Sequence, residues 1–173
     1  DKMVADAHLS LGDLVMTQVP SEQQPTQVHI DESRGHYAKV RELSDAIRLV
    51  TDATFNEGGL LERIAGNPEG PVQGVLDEVD KDKDDALSKA EFAKSRLAGF
   101  KNFATFNING DKVIDYGELV DAVTIWLYAD METLFREYKK KYAEEEGARL
   151  SQASHKIGLA CEKQGRPEDM LRE

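Results

Sequence analysis

Residues 80–91 read Asp80-Lys81-Asp82-Lys83-Asp84-Asp85-Ala86-Leu87-Ser88-Lys89-Ala90-Glu91, and residues 107–118 read Asn107-Ile108-Asn109-Gly110-Asp111-Lys112-Val113-Ile114-Asp115-Tyr116-Gly117-Glu118. In both, oxygen-bearing side chains alternate along the chain, and a glutamate closes the run. A hard cation such as Ca²⁺ takes roughly six to eight oxygens, which a tight loop supplies from alternate positions plus one bidentate carboxylate. Asp80, Asp82 and Asp84 stand at positions 1, 3 and 5 of the first stretch. The Ala86 carbonyl falls at 7, Ser88 at 9 (directly or through a water), and Glu91 at 12. In the second stretch Asn107, Asn109, Asp111, the Val113 carbonyl, Asp115 and Glu118 take the same places. Leu87 and Ile114, both at position 8, are apolar and should point into a core.

Val72, Val75, Leu76 and Val79 recur at i, i+3, i+4 and i+7, one face of a helix leading into the first stretch. Phe100, Phe103 and Phe106 precede the second, and Leu119, Val123, Trp126 and Leu127 follow it. At helical spacing beside such loops these aromatics read as core packing, not as a ligand box. One acidic turn of this kind can be a plain solvated loop; two in tandem, each with an apolar position 8 and a terminal glutamate, speak against it. Over residues 72–127 the pattern closely resembles the EF-hand family of the calmodulin-like superfamily. The resemblance implies a paired calcium lobe with two Ca²⁺ sites, held by the twelve residues just named.

The departures from that family carry expectations of their own. Position 6 is normally Gly because the loop turns there with positive φ, and here it is Asp85 or Lys112. Asp tolerates the left-handed region better than Lys, for which it costs about 1 kcal/mol or more. The family prefers Asp where the second loop has Asn107. Loop one offers the carboxylates Asp80, Asp82, Asp84 and Glu91, and loop two only Asp111, Asp115 and Glu118. Loop 80–91 should therefore be the stronger site, and Lys112→Gly should strengthen loop 107–118. The connection between the loops is short, so two stubby helices broken near Gly99 are expected.

Composition narrows the function. The chain has 173 residues and a net charge of −11, a balance that repels nucleic acid and suits a cation binder. No apolar run approaches the ~20 residues of a membrane-spanning helix. The single Cys161 excludes an internal disulfide framework and favours an intracellular or organellar compartment. No basic-then-apolar signal opens the chain, and with Asp1 first any processed leader lies outside this sequence.

The expected fold is all-α: an EF-hand pair flanked by an N-terminal helical hairpin and a long C-terminal helix. Residues 1–27 form a tail or docking segment, with Leu9, Leu11, Leu14, Val15 and Met16 as its apolar strip and Pro20 to Pro25 as a linker. Residues 28–71 form the hairpin. Asp31 or Ser33 caps a helix whose face is Val40, Leu43, Ile47, Val50 and Thr54, Asn56 to Gly59 stops it, and Leu60 to Ala65 form a short second helix. The lobe occupies 72–127 and a helical extension 128–173. In the extension, Met131, Leu134, Phe135, Tyr138 and Tyr142 make one stripe, to be packed on the Val40–Thr54 helix. Leu150, Ala153, Ile157 and Cys161 make another, offered to a protein partner, with bends at Gly147 and Gly158. Lys139 to Lys141 and Glu144 to Glu146 read as a solvated face.

Enzyme chemistry is not expected. His8, His29, His36 and His155 are scattered without metal-ligand spacing, and Cys161 reads as a small buried hydrophobe. The resemblance points instead to a calcium-dependent sensor or adaptor engaging a protein partner. The alternatives are a calcium-stabilised structural subunit of an assembly and a soluble calcium buffer.

Overall fold

The computed structural model describes residues 2–20 and 25–172, with side chains through residue 169. Most of the expected Pro20–Pro25 linker, residues 21–24, lies outside the described residues. The fold is essentially all-α. Helices α1 (Lys2–Thr17), α2 (Gln27–Leu43), α3 (Ile47–Gly66) and α4 (Glu69–Val79) lead into the first loop. Strand β1 (Leu87–Ser88), the short α5 (Lys89–Phe92), a 3-10 turn at Arg96–Gly99, α6 (Phe103–Phe106) and strand β2 (Val113–Ile114) follow. Helices α7 (Tyr116–Tyr142) and α8 (Leu150–Lys163) and a 3-10 turn at Pro167–Arg172 complete the described chain. None of its helices is long and apolar enough to cross a membrane.

Helix α3 is the centre of the packing. Leu49, Val50, Ala53, Leu60, Leu61, Ile64 and Ala65 are all buried, so apolar contacts surround nearly its whole girth. Two expected boundaries move. The helix does not stop at Gly58 and Gly59 but runs through them, because Gly58 seats an aromatic ring. A Cβ at that position would fall 2.5 Å from ring carbons of Phe135, which is fully buried. The break lies earlier, where the Ser44 hydroxyl accepts a hydrogen bond from the Ala46 N–H (3.1 Å) and offers the backbone a turn in place of another helical residue. The start of α2 also shifts, from Asp31 or Ser33 to a Thr26 cap, whose N–H donates to His29 Nδ1. Gly58→Ala should cost about 1–3 kcal/mol by overpacking the Phe135 seat, measured as a lowered urea midpoint at unchanged m-value.

Helix α7 lies along α3 as expected. Phe55 meets Phe135 edge-on at 5.0 Å, and Thr51 Oγ1 shares a 2.8 Å hydrogen bond with the Tyr138 hydroxyl. Met131, Phe135, Tyr138 and Tyr142 are buried, with Leu134 packed at the margin. The stripe beyond Gly147 is not offered outward, contrary to expectation. Gly147, at φ 89°, turns the chain, and α8 folds back on α7 with Ala153, Ile157, Ala160 and Cys161 fully buried. Helix α8 runs straight through Gly158 and ends at Gly165 (φ 72°). There Arg166 N–H reaches the Cys161 carbonyl and Gly165 N–H the Glu162 carbonyl, a Schellman closure. Arg166 then pairs with Glu132 of α7 (3.1 Å).

Polar groups lock the other helices. Glu57 of α3 is buried, with Arg34 Nε 3.0 Å from one carboxylate oxygen and Arg41 Nη2 2.6 Å from the other, off the line of a hydrogen bond. Arg34 also reaches Asp130 of α7 at 3.0 Å. Helix α1 seats on α2 through Gly12: a Cβ there would collide with the Tyr37 ring, Ser33 Oγ donates to the Gly12 carbonyl (2.8 Å), and the Tyr37 hydroxyl donates to Asp13 (2.7 Å). The expected strip splits across its faces. Val15 is buried and Leu9 and Met16 half-buried, while Leu11 and Leu14 face solvent together with Met3.

Candidate metal centre

The Val72, Val75, Leu76 and Val79 face of α4 is buried as the periodicity requires, and it delivers the chain to Asp80. Asp80 folds the first loop around itself. One carboxylate oxygen accepts from the Lys83 N–H (2.8 Å) and the other from the Asp85 N–H (3.1 Å). Asp84 accepts from the Ala86 N–H (3.0 Å). These turns need left-handed backbone at Lys83 (φ 58°) and Asp85 (φ 60°). The result gathers Asp80, Asp82 and Asp84, with one carboxylate oxygen from each inside a 4.8 Å span, Asp80 half-buried and the other two exposed. Three hard oxygen donors so placed can hold a metal ion.

Gathered this closely, the carboxylates repel one another. Asp84, with lesser contributions from Glu91 and Asp80, holds the Asp82 carboxyl above its ordinary range. The sign follows: below the ordinary carboxylate range the repulsion is absent, and it grows as pH rises through Asp82's raised pKa. A bound cation removes that repulsion, and protons compete with the cation for the same oxygens. Metal uptake should thus weaken as pH falls into the carboxylate range, a trend that calorimetry at stepped pH would read.

Glu91 stands apart from this trio. Its carboxylate accepts from the Lys81 N–H (3.0 Å), the Ser88 N–H (3.0 Å) and Ser88 Oγ (2.7 Å). The Lys81 N–H, foremost among these, holds it below the usual carboxylate range. It thereby closes a capping box with Ser88 at the start of α5. Of the six expected first-loop ligands, three side chains are gathered, Ser88 and Glu91 are paired with each other, and Ala86 is buried beside Leu87. The backbone N–H of Lys81 as a holder of Glu91 was not legible from residue type.

The second loop repeats the logic with fewer charges. Asn107 Oδ1 accepts from the Gly110 N–H (2.8 Å), Asn109 from Asp111, and Asp111 from both Lys112 and Val113. Glu118 accepts from Ile108 (2.7 Å) and Asn109 (3.0 Å), and Asp115 caps α7 by accepting from the Glu118 N–H. Among the described residues, no second trio of carboxylate, imidazole or thiolate ligands is gathered as tightly as the first. The strain expected at Lys112 is absent: the left-handed residue of this loop is Gly110 (φ 74°), and Asp111 holds the Lys112 N–H in an ordinary conformation. The substitution that relieves strain is therefore Lys83→Gly, worth about 1 kcal/mol, whereas Lys112→Gly should stabilise nothing. Denaturation of the two variants separates the cases, and a gain at Lys112 alone would overturn this account.

The loops meet through β1 and β2, antiparallel with Leu87 opposite Ile114 and Ser88 opposite Val113. Both apolar residues are completely buried. Phe92, Leu97 and Phe106 fill the space beneath, with Phe92 against Phe103 edge-on at 5.7 Å. Arg96 ties the lobe to α2, 3.1 Å from Glu78 and 3.6 Å from Asp31. The site thus defines a helical chain with an acidic loop able to hold a metal, seated on a shared core. Comparison with protein-family models, curated proteins and solved structures finds no match to this chain.

Proposed function

We propose that the chain is a calcium-binding protein of EF-hand type, acting as a calcium-dependent sensor or adaptor for a protein partner. The observation that carries the reading is the Asp80, Asp82 and Asp84 trio in a twelve-residue loop that pairs, position 8 to position 8, with a second loop of the same plan. Asp80, Asp82, Asp84, the Ala86 carbonyl, Ser88 and Glu91 would hold the first ion. Asn107, Asn109, Asp111, the Val113 carbonyl, Asp115 and Glu118 would hold the second. Bound calcium would supply the positive charge that these oxygens lack. For Glu91 to become a bidentate ligand, Oε2, which accepts from both the Ser88 N–H and Ser88 Oγ, would give up at least one of them, while Oε1 can keep the Lys81 N–H. Partner engagement is supported by Met3, Leu11 and Leu14, which leave apolar surface on α1 after folding.

A second reading, a calcium-stabilised structural subunit, is favoured by one observation: the α7 stripe is already covered by α3 and α8. Affinity capture in calcium and in chelator distinguishes the two. A sensor gains its partner with calcium, and a structural subunit keeps it in both. Calorimetry that detects no calcium uptake at either loop would end both readings.

A further inference from the structure

His8 of α1 and His36 of α2 are 28 positions apart in the chain, yet their Nδ1 atoms lie 2.9 Å apart and their ring centroids 5.2 Å apart. Both rings are half-buried. One Nδ1 carries the proton and the other accepts it. The seam that holds them is fastened one turn further along, where Gly12 seats the Tyr37 ring, Ser33 Oγ donates to the Gly12 carbonyl and the Tyr37 hydroxyl donates to Asp13.

First-row divalent metals bind imidazole nitrogen at about 2.0–2.1 Å. Two such bonds at a right angle put their nitrogens about 2.9 Å apart, at adjacent corners of a square or an octahedron. We propose that His8 and His36 form a two-imidazole clamp for a transition-metal ion, with Cu(II) or Ni(II) matching the right-angled nitrogen geometry. The metal takes the place of the proton shared between the two Nδ1 atoms: the ring that held it there becomes its Nε2–H tautomer by exchange with solvent, so both neutral rings carry their one proton on Nε2 and no net proton is released. Water completes the coordination sphere. Nitrogen donors separate this clamp from the oxygen-only acidic loop, so filling one leaves the other free.

The test uses the full chain with its acidic loops saturated by calcium. On adding substoichiometric Cu(II), the NMR ring signals of His8 and His36 broaden before those of His29 and His155. Electron paramagnetic resonance shows coupling to two imidazole nitrogens. In Ni(II) calorimetry, His8→Gln and His36→Gln each weaken binding by about tenfold or more, as removal of one of two ligands requires, while His29→Gln leaves it unchanged. Circular dichroism confirms that the variants remain folded. Broadening that begins at His29 or His155, or equal Ni(II) affinity in all three variants, overturns the proposal.

Discussion

Glu91→Ala should remove one of two calcium equivalents in a calorimetric titration, leaving only the weaker uptake of the 107–118 loop. In the EF-hand reading proposed above, the carboxylate at position 12 would close the coordination sphere as a bidentate ligand. The same substitution also strips the cap from the Lys81 and Ser88 N–H groups, which costs about 0.5–2 kcal/mol of lobe stability even without metal. Glu91→Gln separates the two effects in part, since its single amide oxygen can still accept from Ser88, as Oε2 does now, while the amide NH2 cannot accept from the Lys81 N–H and the charge is lost. Unchanged stoichiometry in Glu91→Ala would refute the ligand assignment.

Glu57→Ala should be the most damaging change away from the loops. It leaves Arg34 and Arg41 beneath the α2–α3 seam without their common carboxylate. Burial disfavours the Arg34 cation, and Glu57 and Asp130 together more than reverse that. Breaking a buried ion pair costs about 3–5 kcal/mol. The 3.0 Å contact from Arg34 to Asp130 survives the substitution, which places the loss toward the lower end. Urea denaturation measures it directly. A loss under about 1 kcal/mol would mean that water screens these charges as it does surface pairs.

The loops and α4 were readable because their logic is local: alternate oxygens, a position 8 residue, an i, i+3, i+4, i+7 face. Contacts made across distance were not. Gly58 and Gly59 look like a helix stop, and only the Phe135 ring, far along the chain, explains why the helix continues. The apolar stripe of α8 reads as an interface for another protein, and it is an interface, but the other surface is α7 of the same chain. Gly12 and Tyr37 gave no signal until α1 lay on α2. Lys112 misled for a subtler reason: residue type at position 6 suggested strain, whereas the second loop makes its left-handed turn two residues earlier, at Gly110.

One continuous buried cluster runs from Ala5 through the loop residues Leu87 and Ile114 to Cys161. A ligand that binds only the folded state stabilises everything folded with it, by about 2.7 kcal/mol at a hundred times its dissociation constant. With calcium as that ligand, the slow amide hydrogens of α8 become its reporters, although no atom of α8 belongs to either loop. Their exchange should slow as calcium rises, in step with those of α3. The free-ion concentration would then set the lifetime of the whole chain against proteolysis.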